Sequence, residues 1–221
     1  MTTLAIIGAG PGLGAAVARR FAAEGFSVGL ISRNRDRVGA LAAELAREGI
    51  DAQGFAANVR DPESLVHALE RVTETLGPIE VLQYSPLPAK EYMRPVLETT
   101  WQDLVGPVEF SIFGPAAAAH QVIPGMRALG DGRGTILFVN GGTALVPRTH
   151  LTGTSVAFAG ETAYAQLLHE ALSSEGIHVA QLVIGGGIVP GDADKDPARL
   201  ADVLWDLHTS RDRFRVEVAT G

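Results

Sequence analysis

The sequence predicts an α/β fold, a doubly wound parallel sheet of about seven strands with helices on both faces. Three observations lead there. The chain opens on a short apolar run, residues 4–7, that turns through Gly8-Ala-Gly10-Pro-Gly12-Leu-Gly14 into a stretch of helical period. From there to residue 82, short β-branched runs alternate strictly with longer helical stretches, the pattern of a parallel sheet covered on both sides. With 221 residues, 46% of them apolar, the chain can build one sizeable core and is short for two, so residues 1–221 are expected to form a single domain.

Leu13, Val17 and Phe21 fall at i, i+4 and i+8 and give the first helix an apolar stripe to lay on a sheet. Glycine suits the turn before it because the backbone there takes unusual angles and because a side chain would hold a phosphate away from the helix amides. A tight strand-to-helix turn without a ligand is the alternative reading of the same residues. Residues 27–31 read as the second strand, closed by Ser32-Arg33-Asn34, and Val38, Leu41, Ala42 and Leu45 recur at helical spacing. Residues 52–57 form a third strand ended by Asn58-Val59, after which Asp61-Pro62-Glu63 has the form of an N-cap with proline in the first turn. Leu65, Leu69, Val72 and Leu76 give the third helix its face, Gly77-Pro78 breaks it, and residues 79–82 open the fourth strand.

The second half is less regular. Residues 85–95 hold three prolines and read as a loop, followed by a long helical region from about residue 98 towards Met126, with a bend or break expected at Gly106-Pro107 and Gly114-Pro115. Residues 135–139 form the fifth strand, 144–153 a loop, 155–173 a helix, and 177–184 a sixth strand that ends in three glycines. Leu200, Val203, Leu204 and Leu207 mark the last helix, and Phe214, Val216 and Val218 alternate with charged residues in a half-exposed closing strand.

Composition narrows the function classes. A net charge of −7 argues against a nucleic-acid partner. There is no cysteine, and His67, His120, His150, His169, His178 and His208 lack ligand spacing, so no metal site is expected. No apolar stretch approaches a membrane span and the N-terminus has no basic leader, so a cytoplasmic protein without a membrane partner is expected.

More specific than the glycines alone is a set of short matches. Gly8-x-x-x-Gly12-x-Gly14, Arg33 after the second strand, Asn58-Val59, Ile79-Glu-Val-Leu82, Trp101, Pro124-x-Met126, Gly134-Thr-Ile-Leu and Glu175-Gly-Ile-His-Val179 occur in order. With them the chain resembles the short-chain dehydrogenase/reductase family over nearly its whole length. The resemblance implies a Rossmann-type fold, a nicotinamide dinucleotide in the crevice at the strand carboxyl ends, and a homodimer or homotetramer. The cofactor-binding candidates are Gly8, Gly10, Gly12, Leu13, Gly14, Ser32, Arg33, Asn58, Val59, Ser85 and Gly185. NAD-selective members of such folds place an acid at the end of the second strand, whereas this chain has Ser32-Arg33-Asn34 there, so NADP(H) is the expected cofactor. Arg35 and Arg37 read as a solvated helix face. Asn58 stands where the family carries an Asp for the adenine amino group, and would serve through its amide oxygen.

The catalytic side departs from the family. No Tyr-x-x-x-Lys occurs in the chain, and counting back from Gly176-Ile177, with the helix read as a turn short, puts Phe158 at the tyrosine position and Thr162 at the lysine position. Tyr84-Ser85-Pro86-Leu87 replaces the usual Asn-Asn-Ala-Gly, Asn140-Gly141 replaces Ser-Ser, and the helix asparagine is missing near Val108-Glu109. Hydride transfer belongs to the cofactor, so what is lost is the proton donor. Tyr84 and Thr143 are the catalytic candidates, as proton donor and carbonyl-orienting hydroxyl, with His150 and Glu161 as further titratable groups on that side. The expected function is an NADP(H)-dependent oxidoreductase with an atypical site and an apolar substrate held by Pro86, Leu87, Tyr92, Met93 and residues 145–151. The alternatives are a non-catalytic NADP(H)-binding sensor or partner subunit, and a crevice that has lost the dinucleotide altogether. The short, Gly- and Asp-rich segment 185–197 suggests an open crevice or one closed by a partner subunit.

Overall fold

The computed structural model describes residues 2–218. Seven strands form one sheet: β1 (Thr2–Ile7), β2 (Phe26–Ser32), β3 (Ala52–Ala56), β4 (Ile79–Tyr84), β5 (Thr135–Gly141), β6 (His178–Ile184) and β7 (Arg215–Val218). Their order is β3-β2-β1-β4-β5-β6-β7, every pair parallel, so the chain reverses direction across the sheet between β1 and β4. A crevice opens at such a reversal, outside the strand carboxyl ends.

Helices cover both faces. On one lie α1 (Leu13–Ala22), α2 (Arg35–Arg47) and α7 (Pro197–Ser210), whose Leu13, Val17, Phe21, Leu45, Leu200 and Leu204 pack on Leu4, Ile6, Leu30 and Leu182. On the other lie α3 (Pro62–Leu76), α4 (Trp101–Val108), α5 (Gly114–Leu129) and α6 (Thr152–Leu172), whose Leu65, Val72, Met126, Phe158 and Leu172 pack on Ile7, Leu82, Phe138 and Val179. β4, β5 and β6 are buried along almost their whole length, which is why they read as mainly apolar runs, with buried polar residues such as Gln83, Asn140 and Gln181 among them. β7 is only partly buried, consistent with its alternating sequence at the sheet edge.

Two expectations shift. The long helical region is not broken at Gly106-Pro107, since Pro107 lies inside α4; the interruption is a π-helical turn, Glu109–Phe113, directly ahead of Gly114-Pro115, where a bend or break was also expected. Pro115 has no N–H for the carbonyl of Ser111, and the wider turn opens where that bond cannot form. The second change is in α6, which starts at Thr152 rather than 155 and runs 21 residues, so no turn is missing.

Candidate active site

The four glycines of the first turn have different jobs. At Gly8 (φ +89°) an added Cβ would sit 2.4 Å from Pro86 Cα, and at Gly14 3.1 Å from Ala9 Cα, so these two permit backbone packing. At Gly10 and Gly12 a Cβ would meet nothing within 4 Å; the space over the turn is open. Leu13 begins α1 behind Gly12, with no side-chain cap and no acid in the first turn, leaving positive helix-end potential uncompensated. A diphosphate fits such a cradle.

The neighbouring candidates divide. Ser32 ends β2, and exposed Arg33 follows it. The nearby ion pairs join Arg19 to Glu44 and Glu48, and Arg60 to Glu109, leaving Arg33 without one among the described residues. Burial raises the pKa of the Tyr92 hydroxyl, and the charges of Arg60 and Arg33 oppose that rise. Asn58 is exposed, but the amide oxygen assigned to adenine already accepts from the Arg60 N–H at 3.2 Å. Val59 is buried, its carbonyl oxygen 2.6 Å from where a Cβ at Gly114 would stand. Ser85 ties strands together: its N–H donates to the Ile7 carbonyl at 2.9 Å and its hydroxyl accepts from Gln83 at 2.8 Å. Gly185 N–H donates to the Val218 carbonyl at 2.7 Å, and Gly142 lies against its Cα, so the loops after β5 and β6 meet there.

Tyr84 is corrected by its placement. It is 1% exposed, its hydroxyl donates to the Phe110 carbonyl of the π-turn, and burial pushes its pKa well above the usual tyrosine value, with Glu161 adding to the rise. A phenol buried and bonded in this way is a core anchor and a poor proton donor. Thr143 is buried in the short turn Gly142–Ala144 that leaves β5. His150 is exposed. Phe158 and Thr162 are both buried on α6, and Thr162 Oγ1 accepts from Gln181 Nε2 at 2.7 Å. The Phe158 ring lies 3.5 Å from where a Cβ at Gly141 would stand, and 6.5 Å from the Phe110 ring, which in turn lies 5.8 Å from Tyr92. The three rings form an aromatic wall.

What sequence reasoning set aside is Glu161, whose side chain is enclosed between β5 and the π-turn. Asn140 Nδ2 donates to its Oε1 at 3.2 Å. Desolvation raises its pKa to about 8, with Ser111 and Asn140 pulling back towards the charged form, and no Lys or Arg close enough to hold the charge. The Ser111 hydroxyl is buried without a well-formed hydrogen bond of its own, and it occupies the helix interruption where the family asparagine was sought. The available signal was periodicity: Phe158, Glu161 and Ala165 share the buried face of α6.

An open sheet crossing over at β1 and β4, with an open glycine cradle at the crossover, defines a dinucleotide-binding α/β domain. The chain belongs to the short-chain dehydrogenase family, whose model matches residues 2–196. It is 27% identical over 208 residues to 2,3-dihydro-2,3-dihydroxybenzoate dehydrogenase of Bacillus subtilis, covering 91% of this chain and 71% of that one. It is 31% identical over 163 residues to the oxidoreductase UcpA of Escherichia coli, covering 74% of this chain but 57% of that one, so the match spans little more than half of UcpA. A crystal structure of a short-chain dehydrogenase from Rhodopseudomonas palustris superimposes with a TM-score of 0.86 at 27% identity, over 100% of this chain and 99% of that one. Solved neighbours include complexes with NADP and with NADH, at 20% and 21% identity, which show the fold alone. Among the described residues no helix is long and apolar enough to cross a membrane, and no group of three acidic or histidine side chains is placed to hold a metal ion.

Proposed function

We propose that this chain is an NADP(H)-dependent oxidoreductase of the short-chain type with an atypical active site, acting on a small apolar substrate in the cytoplasm. The observation that carries the reading is the pairing of an open cradle at Gly10 and Gly12 with the unpaired Arg33 at the end of β2. The amides of Gly12, Leu13 and Gly14 would hold the diphosphate, and Arg33 the 2′-phosphate. When bound, the nicotinamide supplies the hydride. Thr143 is the hydroxyl best placed to orient a substrate carbonyl. Leu87, Met93 and Val146, exposed on the loops after β4 and β5, together with the Phe158–Phe110–Tyr92 wall, favour an apolar substrate.

A homodimer or homotetramer belongs to the same reading. Val156, Ala159, Gly160, Ala163 and Leu167 form an uncharged stripe along α6, and Trp101, Val105 and Phe113 stand exposed on α4 and the π-turn. The loss of the Tyr–Lys pair, with the Tyr84 phenol tied to Phe110, favours a second reading as a non-catalytic NADP(H)-binding subunit.

Calorimetry with NADPH and NADH, then an assay of NADPH consumption against ketones, aldehydes and imines, tests both readings. Arg33→Ala is expected to weaken NADPH by about tenfold, roughly 1.4 kcal/mol, while leaving NADH unchanged. A wild-type preference for NADH would overturn the use of Arg33. A melting temperature raised by NADPH with no consumption on any substrate would favour the non-catalytic subunit.

A further inference from the structure

Resting on the oxidoreductase reading, the geometry points to Glu161 as the proton store of this active site, with Ser111 as its outlet and Asn140, Gln181 and Arg215 as the residues that set its hydrogen bonding.

The argument starts at the sheet edge. Arg215 on β7 donates from Nε to Gln181 Oε1 at 2.9 Å. A guanidinium can only donate, so the Gln181 amide is fixed with its oxygen towards Arg215 and its nitrogen inward. That nitrogen donates to Asn140 Oδ1 at 3.2 Å and to Thr162 Oγ1 at 2.7 Å. The Asn140 amide is fixed in turn, its nitrogen towards Glu161 Oε1. One cation thus dictates, through two buried amides on neighbouring strands, that the carboxyl meets a donor on one oxygen. The Ser111 hydroxyl also acts on this carboxyl, and it has no other partner.

The charged and titratable surroundings leave the carboxyl room to keep a proton. From β4 the titratable neighbour is Tyr84, already donating to Phe110 and unable to neutralise an anion. From the loop after β4 it is Tyr92, which acts on Tyr84 rather than on Glu161. On the π-turn Glu109 is paired with Arg60, and on β7 Arg215 reaches only as far as Gln181. The carboxyl is therefore neutral at physiological pH, held by a donor that keeps its anion attainable, and that balance suits a group that gives and regains one proton. In the reductive direction the hydride that bound NADPH would supply leaves its C–H bond and forms a new one at the substrate carbonyl carbon, as the C=O π bond breaks towards oxygen. The Ser111 hydroxyl is buried in the π-turn, so that turn must open for the oxygen to take its proton, and Ser111 is then refilled from Glu161. The resulting carboxylate regains its proton from water after product leaves.

Infrared difference titration of the protein with and without NADPH tests the store directly. A protonated carboxyl band is expected to titrate with a midpoint near 8 and to vanish in Glu161→Gln, while the NADPH-induced rise in melting temperature is retained. Arg215→Leu frees both amides to turn, and Asn140 can then present its oxygen to the protonated acid, so the midpoint is expected to move up. A carboxyl already ionised at pH 6 in the wild type, or a titrating band that survives in Glu161→Gln, would overturn the proposal. An unmoved midpoint in Arg215→Leu would remove the relay. On any carbonyl the wild type reduces, Glu161→Gln is expected to lose about a hundredfold in kcat and the alkaline limb of its pH profile; an unchanged profile also overturns the role. If the band titrates as expected but no carbonyl consumes NADPH, the oxidoreductase reading fails and the proton-holding carboxyl stands.

Discussion

The two ends of the central strands are built by opposite rules. At the amino end of β5 and β6, Arg211 spreads its guanidinium over the chain. Nε donates to the His208 carbonyl at 3.2 Å, and the terminal nitrogens reach the carbonyls of Gly132, Gly176, Arg133 and Gly134 and the Thr135 hydroxyl. To do so Arg211 adopts φ +51°, a backbone strain held by those bonds. At the carboxyl end, a few residues along the same strands, Glu161 is buried with no cation, steadied by Asn140 and by a Ser111 hydroxyl that has no other partner. The contrast separates a clamp, where one charged donor ties several chain carbonyls, from a site, where a buried carboxyl without a cation leaves a proton to be moved.

Removing the clamp is the largest way to break that contrast. Arg211→Ala is expected to cost about 3 kcal/mol or more in urea unfolding, since several partly buried carbonyls lose a charged donor at once. NADPH binding at the opposite end should survive at temperatures where the variant is folded. Equal loss of stability in Arg211→Ala and Glu161→Gln would erase the distinction between the ends.

A pH series separates the ends by sign. At the amino end, burial, with Arg211 adding to it, lowers the pKa of His178 and of His208 to about 4. Their contribution to stability is complete above the ordinary histidine value of about 6.5, and is lost as pH falls towards 4, at up to about 1.4 kcal/mol per unit per group. Glu161 runs the other way. Its pKa is raised to about 8, so its contribution is complete below the ordinary carboxyl value and is lost as pH rises through 8. Between the ordinary carboxyl and histidine values the slopes oppose each other, and above 6.5 only Glu161 remains of the three. Urea midpoints are expected to rise from pH 4 to about 6.5 and then sag towards 8, with the sag absent in Glu161→Gln.

Much of this was legible in the sequence, and the losses have local causes. The parallel sheet covered on both faces followed from alternation, because β4, β5 and β6 are buried on both faces and the helices between them carry single stripes. The start of α6 was missed because Leu151 supplies no cap, while Ser155, which looks like one, sits inside the helix and accepts from the Arg148 N–H at 3.0 Å. Cofactor candidates could be named because each is a contiguous local signal, a turn's glycines and a strand-end arginine. The Glu161 cluster could not, since Ser111, Asn140, Glu161, Gln181 and Arg215 come from five elements and meet only across the sheet.

Tyr84 gives the smallest effect and the sharpest use of the comparison, because it stands at the site end of the sheet while behaving like a member of the clamp. Its ring is buried against Phe138 and its hydroxyl satisfies the Phe110 carbonyl where the π-turn opens. Tyr84→Phe keeps the ring and removes one hydrogen bond, so the expected loss is about 1 kcal/mol in urea unfolding, from a carbonyl left without its donor. NADPH affinity and the infrared midpoint of Glu161 should stay nearly unchanged, since a neutral phenol adds little field at the carboxyl. Should Tyr84→Phe instead abolish NADPH consumption while leaving stability intact, the proton donor would be the tyrosine after all, reached by a rearrangement that frees its hydroxyl from Phe110.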